Sequence, residues 1–187
     1  DFLTTHIPFH IGVIPNVQST HLRLFTNKDY VAHEMTSLAV KLPKTGALIL
    51  NADDPLVLAM KDKTQATVVT FGETNFSTIR LMRFHRLGKY GFACEINIGG
   101  KIHELHLPHI IASHQIPHIL AALAVANAMK VDIPKAIQRL QSIQPPPGRL
   151  RLLDGYNNAK LLDDSYSASP EGMLAALNLL QELPSKR

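Results

Sequence analysis

Three short apolar runs, set apart by segments of helical spacing, constrain this chain more than any other feature. Ile11-Gly12-Val13-Ile14, Ala47-Leu48-Ile49-Leu50 and Thr67-Val68-Val69-Thr70-Phe71-Gly72 each read as a buried strand. Between the first two, residues 29–42 place Val31, Met35, Leu38 and Leu42 on one helical face. Asn27 or Asp29 can cap that helix, and Pro43 with Gly46 stops it. A short helix over residues 55–61 separates the second and third runs. Strands alternating with helices in this way predict βαβ units and a mainly parallel α/β sheet.

After residue 72 the pattern changes. Residues 77–84, 90–98 and 101–107 alternate apolar and polar positions and are broken by Leu87-Gly88-Lys89 and Gly99-Gly100, which predicts a small antiparallel meander. Residues 115–129 form an Ala-rich helix with Ile116, Ile119, Leu120, Leu123 and Ala124 on its buried face. Asp132 caps a further helix that reaches Leu140, with Pro134 in its first turn. Then comes Gln144-Pro145-Pro146-Pro147-Gly148-Arg149, the strongest linker signal in the chain, since three prolines neither continue a helix nor join a central strand. The boundary is placed there, with residues 1–144 in one unit and residues 145–187 opening another. Beyond it a strand pair surrounds Gly155-Tyr156-Asn157-Asn158. A last helix follows, with Ser169 at its N-cap and Pro170 at N1, and Met173, Leu177, Leu180 and the Ala175-Ala176 pair are expected on its buried face.

Composition narrows the chemistry. One cysteine, Cys94, in 187 residues excludes a disulfide framework and a Cys-rich zinc site. No apolar run reaches the roughly 18 residues of a membrane span, and no basic n-region marks a signal peptide at the start. The net charge of +4 invites a nucleic-acid reading. The only dense basic stretch, Arg80, Arg83, Arg86 and Lys89, lies in a strand and reads as a solvated face rather than a nucleic-acid surface. Five of the ten histidines cluster at His103, His106, His109, His114 and His118. His114 and His118 share a helix face, but no third zinc ligand is assigned, so the cluster reads as ordinary side chains. No G-x-x-x-x-G-K-[ST] phosphate loop occurs in the chain. In a parallel α/β sheet, ligands sit beyond the carboxyl ends of the strands. The loops after the first two strands, Asn16 to His21 and Asn51 to Asp54, are therefore candidate site segments, although Asn51 and Asp53 would equally serve as turn and helix-cap residues.

Five segments, met in order, resemble one family. Asp163-Asp164-Ser165-Tyr166-Ser167-Ala168-Ser169-Pro170 looks like the opening of the C-terminal domain of Mur ligases, most like the D-Ala-D-Ala-adding branch. Pro147-Gly148-Arg149 matches the family's P-G-R, and Leu50-Asn51-Ala52-Asp53-Asp54 its L-N-A-D-D. His114 followed by Ala121-Ala122-Leu123-Ala124 resembles its His-Asn helix, and residues 11–22 resemble its strand with a following His-Leu. The resemblance implies an ATP-dependent, Mg²⁺-assisted acid–amino acid ligase of peptidoglycan precursor synthesis in the cytoplasm. Such an enzyme adds D-Ala-D-Ala to a UDP-MurNAc-peptide through an acyl phosphate. It implies the C-terminal half of a central ATP-binding domain over residues 1–144, then the start of a Rossmann-like C-terminal domain. The chain begins without Met, and a missing N-terminal part of the same protein is expected to supply the phosphate loop.

Carried over residue by residue, the resemblance implies catalytic roles for His21, Arg149 and Asp164. It puts His21 near a metal, and Asn51, Asp53, His114, Gln115, Arg149 and Asp164 around the nucleotide. Departures stand beside these matches. The position of the family's metal-holding lysine is Met35, its His-Asn is His114-Gln115, its second Asn is His118, Pro15 replaces a Thr and Ser167 an Asn. A thioether is a poor ligand for Mg²⁺. Two rival readings therefore stay open: a non-catalytic, nucleotide-binding or regulatory module of the same fold, and a family member with a different acceptor amino acid.

Overall fold

The fold is built around β2 (Ala47–Asn51), whose Leu48, Ile49 and Leu50 are fully buried. A strand with both faces covered carries an unbroken apolar run rather than an alternating one. In this computed structural model, which describes residues 6–17, 27–88, 90–166 and 170–183, β2 lies between β1 (Ile11–Ile14) and β3 (Thr67–Gly72), both parallel to it. The sheet continues through β4 (Ile79–Arg86), β5 (Phe92–Ile98) and β6 (Lys101–Leu107), giving six strands in chain order.

β3 and β4 are parallel, yet only six residues join them. Parallel neighbours ordinarily need a long crossover. Here β4 pairs with β3 only through Phe71–Ile79 and Gly72–Arg80, so β4 starts where β3 ends and the chain never has to run back. Thr70 and Thr78 fasten the step by exchanging backbone N–H to hydroxyl bonds of 3.2 and 3.0 Å. β4, β5 and β6 then run antiparallel, as the meander reading expects, but they belong to the same sheet as the parallel strands. β4 starts two residues later than expected because Ser77 closes a turn on Thr74. β5 starts late because Gly91, at φ 82°, still belongs to the turn with Leu87. Gly99 and Gly100, at φ 58° and 83°, make the tight β5–β6 hairpin that needs two left-handed residues.

Helices cover both faces. α1 (Lys28–Lys41), capped by the Asn27 side chain, and α2 (Pro55–Leu58), capped by Asp54, enclose Ile14, Val17, Leu48, Leu50 and Met60. On the opposite face α3 (Ile116–Ala128) lays Ile116, Ile119, Leu120, Leu123 and Ala124 against Ile49, Phe71, Ile79, Ile96 and Leu105. α4 (Ile133–Leu140) follows, with Asp132 accepting from the Lys135 N–H at 2.9 Å. Of the basic stretch, Arg83 is solvated and pairs with Glu95, while Arg86 is half-buried and pairs with Glu182, and Lys89 lies outside the described residues.

After the proline-rich linker come the hairpin β7 (Arg151–Asp154) and β8 (Lys160–Asp163) and then α5 (Pro170–Glu182). They pack on the preceding residues through a seam, a small apolar cluster of Ile111, Ala112, Leu150, Leu179 and Leu183. Of the residues expected on the buried face of α5, Ala176 packs in this seam, but the larger apolar ones do not. Met173, Leu177 and Leu180 are exposed, at 54%, 52% and 54%, while Leu179 and Leu183 are buried. The seam receives the Ala176, Leu179, Leu183 stripe, spaced i, i+3, i+7, so the helix is rotated from the expected face. The N-cap assigned to Ser169 lies outside the described residues.

Candidate functional site

A cleft of about 600 Å³ opens between the sheet edge, α3 and the proline-rich linker. Pro15 and Asn16, at the end of β1, form its floor. This is the carboxyl edge of a parallel strand, where α/β folds place ligands. The N-terminal turn of α3 with the residues before it supplies His114, Gln115, His118 and Ile119. The proline-rich linker and the residues after β8 supply Pro145, Arg149, Leu150 and Asp164. A volume of this size accepts a small-molecule ligand with most of its surface covered.

Two strands of hydrogen bonding tie the linker to the Asp163–Tyr166 segment. The Gly148 N–H donates to Asp163 Oδ2 at 3.0 Å, and the Leu150 N–H donates to Asp164 Oδ1 at 3.2 Å. The Tyr166 N–H donates to the Gly148 carbonyl at 3.0 Å, and the Arg149 guanidinium lies 4.3 Å from the centroid of the Tyr166 ring. Asp163 also accepts from the Ser165 hydroxyl at 2.6 Å and from the Ser165 N–H. The Ser165 bonds, foremost, hold its carboxyl below the usual carboxylate value. His114 reaches water at the cleft mouth, yet protein crowds its ring. Burial, then the neighbouring His118, pushes its pKa below the ordinary 6.5, while Asp164 pulls the other way.

These features bring together His114 and Gln115, Arg149 and Asp164, from three segments far apart in sequence. The fold also recurs in known proteins. The sequence profile of the Mur ligase middle domain matches residues 2–126. The chain belongs to the Mur ligase family. A UDP-N-acetylmuramoyl-tripeptide–D-alanyl-D-alanine ligase of Mycobacterium tuberculosis is 28% identical over 184 residues, covering 92% of this chain and 34% of that protein. A UDP-N-acetylmuramate–L-alanine ligase of Aquifex aeolicus is 27% identical over 174 residues, covering 92% of this chain and 38% of that protein. Among solved structures, MurF of Acinetobacter baumannii superposes with a TM-score of 0.84 at 21% identity, over 94% of this chain and 38% of that one. MurF of Thermotoga maritima, solved with ADP, gives 0.83 at 20% identity, over 98% and 42%. The chain thus spans little more than a third of the length of the curated relatives quoted.

Within this Mur ligase fold the remaining expected site residues take different places. Asn51 Nδ2 donates to the Pro15 carbonyl at 2.9 Å, and its Oδ1 accepts from the Asp53 N–H at 2.9 Å, so Asn51 braces the cleft floor from behind. Asp53 accepts from the backbone N–H groups of Glu73 and Thr74 and fixes the loop after β3. It lines a separate, smaller cleft of about 230 Å³ that touches His114 from the other side. Asp54, not Asp53, caps α2, and it also accepts from the Val17 N–H at 2.9 Å. His21 lies outside the described residues.

The described residues do not build a magnesium site. Met35 packs against the α1-side core, and the Asp53 and Asp54 carboxylates accept backbone N–H groups. Among the described residues no three His, Cys, Asp or Glu side chains gather closely enough to hold a metal. Asn16 opens the loop after β1 that the sequence marks as a candidate site segment, whereas His118 and the prolines lining the cleft were not assigned to it from sequence. The triple proline is legible as a linker, but a linker's role as a wall depends on what packs opposite it.

Proposed function

We propose that the cleft between α3, the proline-rich linker and Asp164 binds an adenine nucleotide, and that this chain carries part of an ATP-dependent, amide-forming ligase of peptidoglycan precursor synthesis. The observation that carries this reading is the convergence of His114, Gln115, Arg149 and Asp164 on one cleft of about 600 Å³. Its apolar walls at Ile119 and Leu150 suit a nucleobase, and Arg149 suits a phosphate. ATP would supply the phosphoryl group that activates a carboxyl as an acyl phosphate. The chain's own part in such a transfer is positioning and charge neutralisation, which is most of what phosphoryl transfer asks of a protein. Following the name of the Mycobacterium tuberculosis relative, the acid would be a UDP-MurNAc-peptide and the amine D-Ala-D-Ala; the reaction would take place in the cytoplasm.

Titration calorimetry of the full chain with ADP tests the site. Binding at one site is expected, with Arg149→Ala weakening it roughly tenfold or more, as loss of a charge-assisted bond does. Absence of binding, or unchanged binding by Arg149→Ala, rejects the site. The ligase reading is tested by joining the chain to a phosphate-loop half and measuring phosphate release that requires both the UDP-linked peptide and D-Ala-D-Ala.

A second reading, a nucleotide-binding module without turnover, is favoured by Met35, whose thioether is packed against core side chains at the position the family gives to a metal-holding lysine. It predicts ADP binding with no phosphate release under any divalent metal, and metal dependence on Met35→Lys.

A further inference from the structure

Arg149 is a long side chain at the mouth of the cleft, and a flexible cation there is useful only if something holds it. Its backbone is fixed on both sides by the Asp163–Tyr166 segment: Gly148 N–H to Asp163, Leu150 N–H to Asp164, and Tyr166 N–H to the Gly148 carbonyl. The approach is so close that a Cβ on Gly148 would lie 2.8 Å from the Tyr166 nitrogen. Only glycine, at φ 74°, permits it. The consequence is that the Tyr166 ring reaches the Arg149 guanidinium, at 4.3 Å from centroid to carbon. A cation within about 6 Å of an aromatic face is attracted to it. Tyr166 is 71% exposed, so its ring fills no core.

We propose that Tyr166 is a positioning residue: its ring holds the Arg149 guanidinium at the cleft mouth, where it meets the phosphates of a bound nucleotide. This rests on the nucleotide reading of the cleft. The face of the ring does the holding, so phenylalanine replaces tyrosine and an aliphatic side chain does not.

The test is ADP and adenosine titration of the full chain in five forms: native, Tyr166→Phe, Tyr166→Leu, Arg149→Ala and Arg149→Ala/Tyr166→Leu, each checked for native melting. Tyr166→Leu is expected to weaken ADP two- to fivefold, the range of an exposed cation–π contact, and to leave adenosine binding unchanged. Tyr166→Phe is expected to bind ADP like the native chain. In the Arg149→Ala background, Tyr166→Leu is expected to add nothing. Native-like ADP binding by Tyr166→Leu overturns the positioning role and leaves the cleft reading standing. So does a Tyr166→Phe as weak as Tyr166→Leu, or an additive double variant. A native chain that binds neither ligand overturns both.

Discussion

At the scale of single residues, the seam between linker and Asp163–Tyr166 depends on a missing methyl group. Gly148 has φ 74°, and an added Cβ would meet the Tyr166 backbone, which cannot swing aside as the end of a flexible side chain can. Gly148→Ala is therefore expected to cost about 1–3 kcal/mol, the usual range for enforced backbone strain, read as a lower midpoint in urea unfolding. Asp54 shows one carboxylate doing two structural tasks, capping α2 and accepting from Val17, 37 residues away. Only the first task is local, because a cap needs three neighbouring residues and a long-range acceptor needs the fold; even so, the sequence reading puts the cap at Asn51 and Asp53 rather than at Asp54. Cys94 is the opposite case: burial pushes its thiol up to about 11, which makes it an inert core side chain.

At the scale of elements, α3 and α5 show how far periodicity reaches. α3 is apolar over a wide arc and lies between the sheet and α4, so its predicted face and its buried face coincide. α5 has apolar residues on more than one face, and the sequence pattern alone does not choose among them. The choice is made by the small seam of Ile111, Ala112 and Leu150, which takes Leu179 and Leu183 and leaves Met173 exposed. Leu179→Ala is accordingly expected to lower hydrogen-exchange protection of α5 and β7, with a loss of about 2–4 kcal/mol in local opening energy. Met173→Ala is expected to leave that protection within about 0.5 kcal/mol of native, as exposed substitutions do. The reverse order of effects would mean that the other face of α5 is the packed one.

At the scale of the whole molecule, a six-stranded sheet covered on both faces holds one end of a cleft, and the segment after the linker closes the other. Besides the apolar seam, Arg86 ties that segment to the sheet. Its guanidinium donates to the Ile111 carbonyl at 2.7 Å and to Glu182 at 2.8 Å, and lies 4.6 Å over the Phe92 ring. His114 sits at the same junction, facing His118 and Asp164. Its pKa is lowered in the folded state, so the unfolded chain takes up the proton more readily. The stability this contributes is present above about pH 6.5 and is lost as pH falls through the folded-state value. Between pH 7 and pH 5 the melting temperature of the native chain is expected to fall further than that of His114→Gln. Equal falls would mean that His114 is not the group being titrated.

The order and type of the elements were determined by local chemistry: β-branched runs, helical spacing, the Asn27 and Asp132 caps, the glycine pair at 99–100 and the triple proline. Each acts over a few residues, so each is complete in the sequence. Membership of the Mur ligase family was legible for the same reason, since its motifs are short and ordered. Three things waited for the tertiary structure. One is the stagger that lets β3 and β4 run parallel across a short loop. Another is the face of α5 that is buried. The third is the division of the motif residues, with His114, Gln115, Arg149 and Asp164 on the cleft while Asn51 and Asp53 brace loops behind it. In the last two, the deciding partner is distant in the chain, and a residue's neighbours in sequence carry no record of what packs against it in space; the stagger is set nearby, by the Thr70–Thr78 exchange, a pairing of side chain with backbone that periodicity does not reveal.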